Sequence, residues 1–247
     1  MVNNMTVNDI LNNGKNTFGF VSLKGEMEAE GLCQIQVARE AILAAKNQLD
    51  YLIKIGGSEA KSNLQYLMDI GVTSVVVPMI ETPFAMKKFV KMLSKEHFKH
   101  VGVTIETVTA VENIDGILDE GTALTELTIG RADLTASYNG DSVESSKTIN
   151  MVKKVAEKAK NRGLKVTMGG SVSKNTIQTL LSDSELYGLI DYIETRKVVL
   201  KVDNFVRAGA LEAALAFETL NIDNRLNLVE RNLLSDKKRK AALSQRI

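Results

Sequence analysis

The chain has 247 residues, of which 44% are hydrophobic and 25% are charged, and its formal net charge is +1. This length is typical of a (β/α)8 barrel with a buried core, and a charge near zero argues against a nucleic-acid partner. Cys33 is the only cysteine, and no apolar run has the length of a signal-peptide core or a membrane span, so we expect a cytoplasmic protein with neither disulfides nor a membrane partner.

Seven short runs, apolar almost throughout, alternate along the chain with amphipathic segments. Runs of this kind are typical of strands that are buried on both faces, as in a parallel sheet. The predicted strands are Phe18–Leu23, Tyr51–Ile55, Ser74–Met79, Val101–Ile105, Leu124–Ile129, Lys165–Met168 and Tyr192–Val199.

The segments between these strands predict helices, because their apolar residues recur at helical spacing. The alternation predicts an α/β fold with right-handed crossovers, and the length favours a (β/α)8 barrel over residues 1–202. An eighth strand is not evident: either Met5–Gly19 contains a short one, or the barrel is irregular at its first strand. The predicted helices are Gly31–Leu49, Ser58–Met68, Phe84–Leu93, Ala110–Leu118, Ser146–Asn161 and Ser173–Leu181.

Residues 203–247 differ from the rest, because their apolar residues predict two or more helices with no strand to follow. We expect this extension to pack on the barrel or on a neighbouring subunit, and we therefore expect a homo-oligomer. The basic run at residues 237–240 is interpreted as a solvated helix face or a frayed tail.

Two of the predicted strands end in carboxylates, Glu106 after Val101–Ile105 and Asp133 after Leu124–Ile129. In a parallel barrel, consecutive strands deliver such side chains to the same mouth. Two carboxylates there, with no histidine or cysteine nearby, suit a hard divalent cation that binds oxygen. His97 and His100 precede their strand and are expected at the opposite end of the barrel.

The same rule selects the other candidates, since only residues near the carboxyl ends of strands can reach the mouth. Lys54 stands in an apolar run and is either an ammonium facing the site or a lysine that reaches solvent. Arg131 either clamps a substrate carboxylate or forms an outward salt bridge. The full set is Lys24, Glu26, Lys54, Glu81, Glu106, Arg131, Asp133, Ser171, Glu194 and Arg196.

Several of these motifs resemble the HpcH/HpaI aldolase and citrate lyase β-subunit family, which is part of the pyruvate/phosphoenolpyruvate barrel superfamily. The resemblance implies a barrel that holds Mg²⁺ or Mn²⁺ through Glu106 and Asp133. It also implies a carbon–carbon lyase or aldolase that works through a metal-stabilised enolate of pyruvate, of a related 2-oxo acid or of an acyl thioester. The matching segments are Val21–Glu26 with Ala38–Glu40 downstream, Val77–Glu81, Thr104–Thr107, Ala110–Ile114 and Ile129–Thr135.

The departures from the family pattern concern proton transfer. Lys54 replaces the family's strand-end arginine and cannot make a bidentate clamp. Met27 stands where the aldolase branch has its histidine, and Lys24 stands where the lyase branch has an aspartate. We therefore predict that Glu26 is the acid/base residue and that Lys54 takes part in both catalysis and substrate binding. The other predicted substrate-binding residues are Gly130, Arg131, Ala132 and Arg196.

Two alternatives remain open at this stage. Lys54 is a candidate Schiff-base nucleophile, as in class I aldolases, although nearby carboxylates argue against that role. The chain is also a candidate non-catalytic barrel that binds a metabolite, or a subunit of a larger complex.

Overall fold

Eight strands close into one barrel in the computed structural model, which describes residues 6–94 and 96–244. Neighbours in the barrel follow chain order, and the last strand pairs with the first. The predicted barrel is therefore confirmed. Its strands are β1 (Phe20–Glu26), β2 (Asp50–Lys54), β3 (Ser74–Val77), β4 (His100–Ile105), β5 (Glu126–Gly130), β6 (Lys165–Gly169), β7 (Tyr192–Glu194) and β8 (Val198–Lys201).

Helices connect the strands, and several begin at the caps that their sequences provide. The Thr6 side chain accepts a hydrogen bond from the Asp9 N–H at the start of the first helix, and Pro83 occupies the first turn of the fourth. The helices are α1 (Val7–Phe18), α2 (Gln34–Lys46), α3 (Lys61–Asp69), α4 (Pro83–Met92), α5 (Val108–Glu112), α6 (Ile114–Glu120), α7 (Arg131–Ala136), α8 (Ser146–Lys160), α9 (Lys174–Ser182), α10 (Ser184–Leu189), α11 (Val202–Phe205) and α12 (Ala210–Ser244).

The eighth strand differs from the prediction of a wholly parallel barrel. Strands β1 to β7 pair in parallel, whereas β8 runs antiparallel to both of its neighbours. The prediction of a single strand over Tyr192–Val199 is wrong, because the chain reverses at residues 195–197, where the Thr195 N–H donates to the Val198 carbonyl at 2.9 Å. This turn therefore lies at the carboxyl end of β7, at the mouth.

The start of the chain does not supply the missing strand. Residues 7–18 form α1, which ends at Gly19 in the left-handed conformation, and Met5 lies outside the described residues. The irregularity of the barrel instead lies where it closes, in a register shift between β1 and β8.

The main core lies between the barrel wall and the surrounding helices. Val75, Val103 and Ile129 are fully buried there, and burying such a side chain stabilises the fold by about 1.5–3 kcal/mol. The barrel interior is different, since its apolar cluster contains only Leu52, Val76 and Val199 packed with Val21 and Tyr192.

Helix α12 begins against the barrel and then leaves it. Ala210, Ala214 and Phe217 are buried, whereas residues 229–241 are all exposed. With 35 residues, the helix is about 52 Å long at 1.5 Å per residue. Among the described residues, no helix combines the length and the apolar character that a bilayer crossing requires.

Candidate active site

A cavity of about 340 Å³ opens at the carboxyl ends of the strands. Most of the predicted site residues line it, although they come from five different strand ends. They are Glu26, Lys54, Glu106, Gly130, Ala132, Asp133 and Arg196.

Glu106 is the most firmly held of the predicted metal ligands. Its Oε1 accepts a hydrogen bond from the Met79 N–H at 2.9 Å, and its Oε2 lies 3.4 Å from Lys54 Nζ. Burial raises the pKa of Glu106, Asp133 adds to the increase, and Lys54 and the Met79 N–H oppose it. A Cβ at Gly130 would lie 3.0 Å from the same Oε2, so a glycine there lets the β5 backbone approach the carboxylate.

The backbone of Met79 is unusual for a residue with a side chain. Its φ of 53° lies in the left-handed region, where non-glycine residues are uncommon. This conformation aims the N–H at Glu106. Such strained positions cluster at functional sites, and here the strained residue orients a carboxylate of the cavity.

Lys24 lies deeper in the cavity, between two glutamates. Its Nζ is 2.8 Å from Glu26 and 2.6 Å from Glu194, and all three side chains are almost completely buried. Burial by itself would lower the pKa of Lys24, but the two carboxylates outweigh it and the pKa is raised. Burial would likewise raise the pKa of Glu26, but Lys24, with Lys54 and Arg196 adding to its effect, outweighs burial and the pKa is lowered.

Glu194 has room in the barrel because β6 has a glycine beside it. A Cβ at Gly169 would lie 2.5 Å from Glu194 Cγ and 2.8 Å from its Oε1. Any larger residue at Gly169 would therefore displace the carboxylate that holds Lys24.

Arg131 does not reach the cavity, contrary to its predicted role in substrate binding. Its side chain is fully buried, and its guanidinium donates to the carbonyl oxygens of Gly169 and Gly170 and to the side chains of Glu144 and Thr176. The guanidinium is thus used to tie α7 to the loop after β6, while Gly130 and Ala132 on either side line the cavity.

A second lysine cluster lies on the outer face of the barrel wall. Lys197 Nζ is 3.1 Å from Glu30 and 2.9 Å from Glu40. Glu40 also accepts from the Tyr51 hydroxyl and from Asn221 of α12. Because Lys197 follows Arg196, this cluster anchors the turn that presents Arg196 to the cavity.

Six residues of the cavity were not among the candidates, namely Thr104, Gly170, Val172, Thr195, Leu215 and Glu218. Thr195 was missed because the turn after β7 was interpreted as strand. Leu215 and Glu218 belong to α12, and no pattern in the sequence indicates that a helix of the extension reaches the mouth. His97 and His100 lie away from the cavity, at the amino-terminal end of β4, as expected.

The donor set fits a divalent metal ion that keeps water or substrate among its ligands. Within the described residues, no group of three or more His, Cys, Asp or Glu side chains forms a candidate protein-only cage. Mg²⁺ is commonly bound through one or two carboxylates, and Glu106 and Asp133 face the same cavity. A cation between them would also oppose the effect of Asp133 on the pKa of Glu106.

Comparison with known proteins identifies relatives of the chain. The family model described as HpcH/HpaI aldolase/citrate lyase matches residues 31–188. No curated protein matches the sequence. Among solved structures, an HpcH/HpaI aldolase from Desulfitobacterium hafniense DCB-2 is 17% identical over 72% of this chain and 80% of that one, with a TM-score of 0.60.

Two further structures share the fold at similar sequence identity and TM-score. Citrate synthase SbnG is 17% identical over 72% of this chain and 78% of that one, with a TM-score of 0.58. Haloferax volcanii malate synthase, in a ternary complex with pyruvate and acetyl-CoA, is 14% identical with a TM-score of 0.57, and the match covers 79% of this chain and 60% of that one.

Proposed function

The chain belongs to the HpcH/HpaI aldolase/citrate lyase family, as its motifs predicted, and we propose that it is a metal-dependent carbon–carbon lyase or aldolase. Its proposed substrate is pyruvate, a related 2-oxo acid or an acyl thioester. The observation that carries this proposal is the convergence of Glu106 and Asp133 with Lys54 in one cavity at the barrel mouth.

In this proposal, Glu106 and Asp133 hold Mg²⁺ or Mn²⁺. When bound, the ion supplies positive charge that stabilises the oxygen of an enolate. The Lys54 ammonium lies beside Glu106 and binds the substrate carboxylate as a point charge. Gly130 and Ala132 let the substrate approach the β5 backbone, and Arg196 contacts the substrate from the rim.

Glu26 is the proposed proton acceptor at the carbon next to the carbonyl. The lowered pKa of Glu26 keeps its carboxylate ionised at neutral pH, so it is ready to take a proton. Lys24 contacts Glu26 and Glu194 together, which fixes the orientation of the accepting oxygen. A base with a lowered pKa is weak, and we therefore expect the proton-transfer step to depend strongly on how close Glu26 lies to the substrate.

The contacts of Lys54 weigh against its use as a Schiff-base nucleophile. Its Nζ is 3.4 Å from Glu106 Oε2, and an ammonium that is held by a carboxylate is not free to attack a carbonyl. Borohydride trapping with pyruvate tests this alternative directly, since it would attach the substrate to Lys54.

The central test is exchange of the methyl protons of pyruvate with D₂O, followed by proton NMR. We expect exchange that stops in EDTA and returns with Mg²⁺ or Mn²⁺. Replacing Glu106→Gln or Asp133→Asn should weaken Mn²⁺ binding, measured by electron paramagnetic resonance, and lower exchange at least about 100-fold. Glu112→Gln, on the exposed side of α5, is the matched control.

The outcomes separate the alternatives. Mn²⁺ and pyruvate binding without any exchange would favour a barrel that binds a metabolite without catalysis. Because the malate synthase structure contains both pyruvate and acetyl-CoA, the experiment is repeated with acetyl-CoA to distinguish a free acid from a thioester. Failure to bind either metal would contradict the proposal.

A further inference from the structure

Helix α12 carries an apolar stripe that nothing in the described chain covers. Its members are five residues on one side of the helix, spaced 7, 4, 3 and 4 positions apart, which is the spacing of a coiled-coil seam. Their exposed fractions range from 40% to 62%. They are Leu215, Ile222, Leu226, Val229 and Leu233.

We propose that this stripe packs against the same stripe of a second copy of the chain, with the two α12 helices antiparallel. Leu226 and Val229 are each 62% exposed, and they lie where α12 leaves its own barrel. An isolated helix as short as the distal half of α12 is only marginally stable in water. A second helix along the stripe supplies the packing that the distal half of α12 lacks within its own chain.

The charges along α12 select the antiparallel orientation. Residues 212–223 carry Glu212, Glu218 and Asp223 with no basic residue, whereas residues 237–240 are all basic. Parallel helices would place the acidic segment of one chain beside the acidic segment of the other, and the basic segments likewise, so that like charges would meet. Antiparallel helices place the acidic segment of one copy beside the basic segment of the other.

One register pairs four of the five stripe residues with one another and also satisfies the charge pattern, with Leu215 level with Lys240. When Leu226 packs against Val229 of the second copy, Ile222 meets Leu233 and Glu218 lies level with Lys237. Each residue then contacts the other copy reciprocally, as a two-fold contact requires. Because Leu215 and Glu218 also line the cavity, the contact begins at the rim of the candidate active site.

The first test measures mass in solution for the full chain, by sedimentation velocity across the micromolar range. We expect a species of twice the chain mass of 27.0 kDa. Leu226→Glu with Val229→Glu should raise the dissociation constant at least about 100-fold, because both charges would enter the apolar seam. Ile35→Glu, at an exposed residue of α2 that is not part of the stripe, should leave the dimer intact.

The second test determines orientation by disulfide cross-linking in a Cys33→Ser background. The antiparallel register predicts that Ile222→Cys with Leu233→Cys gives a cross-linked dimer, and that Ile222→Cys alone does not. A monomeric wild-type chain, a dimer that survives the two glutamates, or cross-linking by Ile222→Cys alone would overturn the proposal. Circular dichroism checks that each variant retains its helices.

Discussion

Lys24 and Lys197 are both buried, and each contacts two glutamates, yet they lie on opposite faces of the barrel wall. Lys24 faces the cavity with Glu26 and Glu194. Lys197 lies behind the wall with Glu30 and Glu40. There Glu40 also accepts hydrogen bonds from Tyr51 and Asn221, and Glu30 forms an ion pair with Arg225.

The two clusters show that one lysine and two glutamates can have different roles in different parts of the same barrel. A lysine between two carboxylates has the same charge in both places. What differs is access, since the first cluster borders a cavity that a ligand can enter and the second is enclosed by α2 and α12. We therefore expect the first to control activity and the second to control stability.

Lys197→Met should lower the free energy of unfolding by about 3–5 kcal/mol, because it leaves two buried carboxylates without their cation. Urea unfolding measures the loss. Lys201→Met, on the exposed end of β8 in the same hairpin, is the control and should change little. Equal free energies of unfolding for the two variants would contradict the view that the Lys197 cluster controls stability.

Lys24→Met should lower the exchange of pyruvate protons by about 100-fold, because Glu26 loses the group that orients its carboxylate. Its free energy of unfolding should fall less than that of Lys197→Met, since the cavity admits water and protons to the two glutamates. The measurements are NMR exchange and urea unfolding on the same samples. If Lys24→Met lowered the free energy of unfolding as much as Lys197→Met does but left the exchange rate unchanged, Lys24 would belong to the group that controls stability.

Glu126 extends the comparison to a half-buried carboxylate that forms no salt bridge with the described residues. Its Oε1 has no hydrogen-bond partner within the described chain, and burial, with Glu194 and Asp50 adding, raises its pKa to about 7. The folded state thus binds this proton more tightly than the unfolded state, so stability falls as pH rises from 4.5 to about 7.

Glu126→Gln should remove this fall and stabilise the protein by about 2 kcal/mol at pH 8. Below pH 4.5 the substitution should have little effect, since both states carry the proton there. Urea unfolding at several pH values measures the difference, with Glu112→Gln as control. Parallel pH profiles for Glu126→Gln and the wild type would contradict the assignment.

Arg225→Gln should have the smallest effect, about 0.5 kcal/mol. Its guanidinium is 3.5 Å from Glu30, and its side chain is 30% exposed, so solvent screens the pair. The urea midpoint should move slightly relative to Arg231→Gln, on an exposed residue of the same helix. A loss as large as that of Lys197→Met would mean that Arg225 is an essential cation of the cluster.

Much of the barrel was predictable because its strands are apolar almost throughout, whereas its helices repeat apolar residues at helical spacing. Glu106 and Asp133 were found because parallel strands end at one mouth. The eighth strand was not, because the apolar residues at both ends of Tyr192–Val199 led to its interpretation as one strand despite the polar residues 194–197. The antiparallel pairing of β8 with β7 and β1 shows that the chain reverses there.

Local pattern and spacing along the chain were enough to predict the barrel, the family and the strand-end carboxylates. The face of the wall that each charged residue occupies became apparent only in the folded chain. Folding buried Arg131 beneath the loop after β6, placed Lys24 in the cavity and Lys197 behind it, and brought Glu218 of α12 to the mouth. These placements depend on contacts between residues distant in the chain, which local patterns do not encode.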